Sequence, residues 1–120
     1  MSEIKPTVIL KPWGCEKIWG DIPNQCLGKI LYIKKGHRLS RQFHEEKEEV
    51  IHVIDGILYL EIGCINDQPE EVFKGLPGFT YHIKPGVIHR FCAIDGDVVL
   101  AEISTYFPKD VVRLDDDYKR

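Results

Sequence analysis

Four side chains with metal-binding atoms lie in two stretches of the sequence that also carry strand signals. Gln42 and His44 are two residues apart, so on a β-strand their side chains project from the same face. Glu49 opens the apolar run 50–54, which can return its carboxylate beside them across a hairpin. His89, in the stretch 78–91, supplies a further imidazole. Together the four residues predict a metal site.

These four donors determine the chemistry that we expect. Two imidazoles, one carboxylate and one neutral amide oxygen form a mixed nitrogen and oxygen set that suits one divalent ion and leaves positions open for water or substrate. Zinc is the first choice, and iron, manganese, cobalt and nickel fit the same donors. The alternative is that these residues form a buried polar network in a barrel without metal.

Short strands must position these residues. From Gly28 the sequence alternates apolar and polar residues at period two, as a half-buried strand does. Roughly nine short strand signals follow one another, separated by turn signals such as Asp55-Gly56 and Pro85-Gly86. This regular spacing predicts an all-β sandwich or barrel.

The two ends of the chain carry different signals. We expect residues 1–27 to form an extended, irregular segment that wraps the body and buries Trp13 and Trp19. The barrel is expected over 28–104, and residues 105–120 predict a tail with a short helix or turn. The whole chain, 1–120, is thus predicted to be one domain.

Composition and charge exclude several classes of function. A chain of 120 residues is long enough to bury a core without disulfide staples. The net charge of −3, from 16 basic and 19 acidic residues, argues against binding to nucleic acid or acidic lipid. The N-terminus lacks a signal-peptide pattern, and no apolar run approaches the ~18 residues of a membrane span. We therefore expect a cytoplasmic protein without nucleic-acid or membrane partners.

Two motifs resemble the signatures of the cupin superfamily. The first is Gly36-x5-Gln42-x-His44-x4-Glu49-x6-Gly56, with glutamine where the general pattern has histidine. The second is Gly78-x5-Lys84-x-Gly86-x2-His89, with lysine where proline is usual. The resemblance implies a double-stranded β-helix, or jelly-roll barrel, that holds its metal inside.

A closer resemblance covers most of the chain and is to the cupin domain of type II mannose-6-phosphate isomerases. In that group Gln42 is the expected residue. The resemblance implies a homodimer that acts on a small sugar or sugar phosphate. It is carried by the segments 11–14 (KPWG), 36–44 (GHRLSRQFH), His89-Arg90 and 110–113 (DVVR).

The preferred hypothesis is an aldose–ketose isomerase that works through a metal-stabilised enediolate. Glu102, His82 and Glu48 are the candidate general bases that would move the proton between C1 and C2. Arg38 is the first candidate for binding a substrate phosphate or hydroxyl, and Lys84 is the second.

Two other functions stay open. A non-catalytic sugar-binding or sensor module needs the same cavity without turnover. A metal-dependent oxygenase needs only His44, Glu49 and His89, which form a set of two histidines and one carboxylate.

Overall fold

The fold is built from β-strands. The computed structural model describes residues 2–120, and within that range it contains no helix. None of these residues therefore forms a helix that could cross a lipid bilayer. The expectation of an all-β jelly-roll fold is confirmed. The strands are β1 (Thr7–Lys11), β2 (Gly14–Ile22), β3 (Cys26–Ile33), β4 (His37–Arg38), β5 (Arg41–Phe43), β6 (Glu49–Asp55), β7 (Leu58–Ile62), β8 (Glu71–Gly75), β9 (Thr80–Ile83), β10 (His89–Ala93), β11 (Val98–Thr105) and β12 (Val112–Asp115).

Two antiparallel sheets enclose the core. The first sheet has the strand order β1-β2-β3-β11-β6-β9, and the second has the order β12-β5-β10-β7-β8, with β4 paired to β10. Because side chains alternate between the faces of a strand, every second residue of a strand points inward. In β11 the inward residues are Val98, Leu100, Glu102 and Ser104. Apolar residues thus fill the core, and polar ones mark a separate region of it.

The N-terminal segment is extended, as expected, but it is regular rather than irregular. Strands β1 and β2 form a hairpin that adds to the first sheet beside β3. Trp13, in the turn of this hairpin, is buried with 2% of its surface exposed, whereas Trp19 is 49% exposed. Trp19 occupies a register shift between Ile18 and Gly20, and its ring lies over Gly28 on the outer face of the sheet. Only one of the two tryptophans is therefore buried in the body.

The C-terminal tail forms a strand where a short helix or turn was predicted. Strand β12 pairs with β5, and a turn follows it. Arg90, whose side chain is fully buried, donates from Nε to the carbonyl oxygen of Leu39 and from Nη2 to that of Asp115. A buried guanidinium that satisfies backbone carbonyls on both segments fixes the tail against the second sheet.

Two glycines with the same backbone conformation provide a test of the packing between turns. Gly56 and Gly36 have φ values of 80° and 82°. A Cβ on Gly56 would lie 2.1 Å from the carbonyl oxygen of Asp97, whereas a Cβ on Gly36 would meet no atom within 4 Å. At Gly56, glycine is therefore required both because a side chain would clash and because φ is positive. At Gly36 only the positive φ favours glycine.

We predict that Gly56→Ala lowers the free energy of unfolding by about 2–5 kcal/mol. Left-handed strain contributes about 1–2 kcal/mol, and overpacking adds about 1–3 kcal/mol. Gly36→Ala should lose only the strain contribution. Urea unfolding of both variants measures the difference, and equal losses would contradict the prediction.

Candidate metal centre

His44, Glu49 and His89 converge at one point inside the barrel. Their side chains come from the residue that follows β5, the first residue of β6 and the first residue of β10. The Nε2 atoms of His44 and His89 lie 3.6 Å and 3.2 Å from Glu49 Oε1. All three residues are buried. Two ligands about 2.1 Å from one ion at a tetrahedral angle are themselves about 3.4 Å apart, so these separations suit a shared ion.

Backbone carbonyls fix both imidazole rings. His44 Nδ1 donates to the carbonyl oxygen of Asp110, and His89 Nδ1 donates to that of Val87 at 2.9 Å. Because a carbonyl can only accept, each Nδ1 must carry the proton. The neutral form of each ring therefore presents an Nε2 lone pair to the interior, which is the arrangement that metal-binding histidines have.

The facing atoms lack any other partner. His44 Nε2, Glu49 Oε1 and His89 Nε2 are buried, and none of them has a hydrogen-bond partner within residues 2–120. Burial alone would raise the pKa of Glu49, but hydrogen bonds from His44 and His89 when their Nε2 atoms carry a proton, together with Lys47, lower it well below its usual range. A cation at this point, either a proton on an imidazole or a metal ion, would stabilise the ionised carboxylate. A divalent metal ion fits these residues because it satisfies all three atoms at once.

Gln42 lies beside the same point. It is the cross-strand partner of His89 and lines the same cavity as His44 and Glu49. Its Oε1 accepts a hydrogen bond from Ser40 Oγ at 2.7 Å, which leaves one lone pair of the amide oxygen. Its place next to His89 supports the fourth-ligand hypothesis, and its role as a ligand stays a prediction.

A cavity of about 130 Å³ opens beside His44 and Glu49. Glu102 projects into it from β11 and is 5% exposed. Burial and the nearby Glu49 carboxylate raise the pKa of Glu102 to about 8. A carboxyl group in this state can both hold and release a proton near neutral pH.

Lys47 stands between the two carboxylates. Its Nζ lies 3.4 Å from Glu49 Oε2 and 3.9 Å from Glu102 Oε2. Burial alone would lower the pKa of Lys47, but Glu102 and Glu49 raise it above its usual value. The cavity therefore contains a fixed cation beside the candidate metal ligands.

Asp110 holds the loop that carries Lys47. Its carboxylate accepts hydrogen bonds from the backbone N–H groups of Glu45, Glu46 and Lys47, at 3.0, 2.8 and 2.8 Å. These bonds lower the pKa of Asp110. Since its carbonyl oxygen also orients His44, this one residue positions both a candidate ligand and the neighbouring cation.

His82 and Glu48 lie outside the cavity, contrary to expectation. Glu49 points inward, so Glu48 and Val50 point outward, and His82 shares the outer face with its cross-strand partner Val50. The His82 imidazole and the Glu48 carboxylate pair with each other on the surface. Of the three candidate bases, Glu102 is the one whose side chain enters the cavity.

Arg38 and Lys84 also lie away from the cavity. We expected Arg38 to continue the face of Gln42, but the strand is interrupted at Leu39 and Ser40, between β4 and β5, and the alternation shifts there. Arg38 instead donates two hydrogen bonds to the Asp117 carboxylate. Lys84 is exposed and does not line the cavity. A contact from either side chain would need a substrate that extends beyond the cavity.

Sequence reasoning missed several charged residues that line the cavity, among them Lys47 and Arg113. For Lys47 a signal was present, because it is two residues from Glu49 and can share its face. Arg113 could be recognised as part of the 110–113 motif, but the direction in which its side chain points depends on the pairing of β12 with β5. No local pattern in the tail predicted that pairing.

Comparison with known proteins supports the fold. No protein-family model matches the sequence, and no curated protein is significantly similar to it. CapF from Staphylococcus aureus, a capsular polysaccharide assembling protein, matches 94% of this chain with a TM-score of 0.76 and 16% identity. The chain spans about a third of CapF, 35% of its length.

Two smaller proteins are similar as well. Pac13 from Streptomyces, a nucleoside dehydratase, has a TM-score of 0.74 at 12% identity, and the match covers 96% of this chain and 93% of Pac13. A proposed sugar phosphate isomerase from Acidithiobacillus ferrooxidans has a TM-score of 0.62 at 16% identity, with 74% of this chain and 56% of the other covered. These neighbours are cupin-fold proteins, and this chain has the cupin fold.

The metal hypothesis predicts that His89→Ala abolishes binding of one equivalent of zinc, because removing one of three buried ligands leaves the site incomplete. His52→Ala should bind zinc like the parent protein, since His52 lies on the outer surface and is hydrogen-bonded to Thr80. Isothermal titration calorimetry with chelator-treated protein measures both. Equal binding by the two variants would contradict the prediction.

Proposed function

We propose that this chain is a metal-dependent aldose–ketose isomerase for a sugar or sugar phosphate. The observation that carries the proposal is that three unpartnered ligand atoms, from His44, Glu49 and His89, converge beside a buried carboxyl group with a raised pKa. A metal and a proton-transfer group at one cavity are the two components that such an isomerase requires.

The resemblance to type II mannose-6-phosphate isomerases supports this choice. Residues from two of the segments that carry the resemblance, 11–14 and 110–113, line the same cavity although about a hundred positions separate them in sequence. They include Trp13 and Asp110. The segments thus resemble the isomerases at positions where a substrate would be contacted.

The proton transfer falls to Glu102. Isomerisation removes a proton from one carbon of the sugar and returns it to the neighbouring carbon, while a proton moves between the two oxygens. Glu102, with a pKa raised to about 8, can accept the proton and give it back. Lys47 lies close enough to offset negative charge on the substrate oxygens. The chemistry that a bound divalent ion supplies is Lewis-acid polarisation of the carbonyl oxygen.

We expect metal-loaded protein to interconvert mannose 6-phosphate and fructose 6-phosphate, and Glu102→Gln to lower kcat about 10²- to 10⁴-fold. Glu48→Gln makes the same chemical change on the outer surface and should leave kcat unchanged. A coupled assay of product formation measures the rates, and metal content is determined in parallel. No isomerisation above that of His44→Ala, tested on several aldose phosphates, would contradict the proposal.

The same preparations separate the alternatives. Binding of a sugar without turnover would favour a sensor module. The set of two histidines and one carboxylate also suits a ferrous oxygenase, so oxygen uptake by the iron-loaded protein would favour that function.

A further inference from the structure

Among residues 2–120, Arg113 is the one charged residue lining the cavity that lacks a partner. It lies on β12 opposite Gln42, and because directly paired residues share a face, its side chain reaches the same cavity. No hydrogen bond or ion pair in the part of the chain that the structure describes, residues 2–120, involves its guanidinium. Its side chain is exposed to solvent, which places Arg113 at the rim.

The other charges around the cavity are accounted for. Lys29 lies 3.6 Å from Glu16, Arg120 donates to Asp116 at 3.0 Å, and Lys47 faces its two carboxylates. Lys11 has only a long contact of 3.9 Å with Glu16. The rim therefore presents one free guanidinium and one weakly paired ammonium group, in a protein whose net charge is negative.

We infer that Arg113, assisted by Lys11, binds an anionic group of the substrate at the rim while the sugar carbonyl reaches the ligands inside. The inference rests on the proposed function and names the substrate class, an anionic sugar. A guanidinium offers a planar fork of donors that matches phosphate or carboxylate, and Lys11 adds a second positive charge. Arg113 thus takes the role that the sequence assigned to Arg38.

Equilibrium binding tests this inference without requiring turnover. Zinc-loaded protein is titrated with mannose 6-phosphate, glucuronate and mannose, which differ in carrying a phosphate, a carboxylate or no charge. We expect an anionic sugar to bind more tightly than mannose, and Arg113→Gln to weaken that binding about tenfold to hundredfold while mannose binding is unchanged. Arg113→Lys should restore part of the loss because it keeps the charge.

Lys84→Gln serves as the matched control, since it removes one positive charge from the surface outside the cavity. It should leave all three affinities unchanged. Whichever of mannose 6-phosphate and glucuronate binds more tightly shows whether the rim prefers a phosphate or a carboxylate. An equal affinity of the parent protein for charged and neutral sugars, or the same loss in the lysine variant, would overturn the inference. Anion-dependent binding without isomerisation would overturn the proposed function alone.

Discussion

The site depends on how the two imidazole rings are hydrogen-bonded. Because the Nδ1 atoms of His44 and His89 donate to backbone carbonyls, the opposite nitrogen of each ring faces Glu49 without a partner. Lone pairs and a carboxylate repel one another when they are buried together, so a proton or a metal ion at the centre would stabilise this geometry. The backbone of the barrel thus determines the kind of ligand that the interior accepts.

The surrounding charges are arranged in relation to that centre. Lys47 stabilises the ionised state of Glu49, whereas Glu102, further from a direct partner and fully desolvated, favours its protonated form. Two buried carboxylates in one cavity therefore have opposite protonation preferences, and such a separation of pKa values is typical of acid–base catalysis. The side chains on the outer surface of the same strands show no comparable arrangement within the described residues.

The sequence predicted the parts of this protein that depend on local periodicity and motif spacing. The all-β fold and the positions of His44, Glu49 and His89 follow from the alternation of strands and from two spaced motifs. Arg38 was placed wrongly because the strand is interrupted at Leu39 and Ser40, and parity cannot be followed across an interruption. The contribution of β12 could not be predicted either, since its pairing with β5 joins segments about 70 residues apart.

The hydrogen bond from His44 to the Asp110 carbonyl has a consequence for how the protein is made. The two residues are separated by 66 positions, so the ring cannot take its final orientation until residue 110 has left the ribosome and the tail has docked. Contacts of such long range form late in folding. Assembly of the His44–Glu49–His89 cluster is therefore a late event in folding.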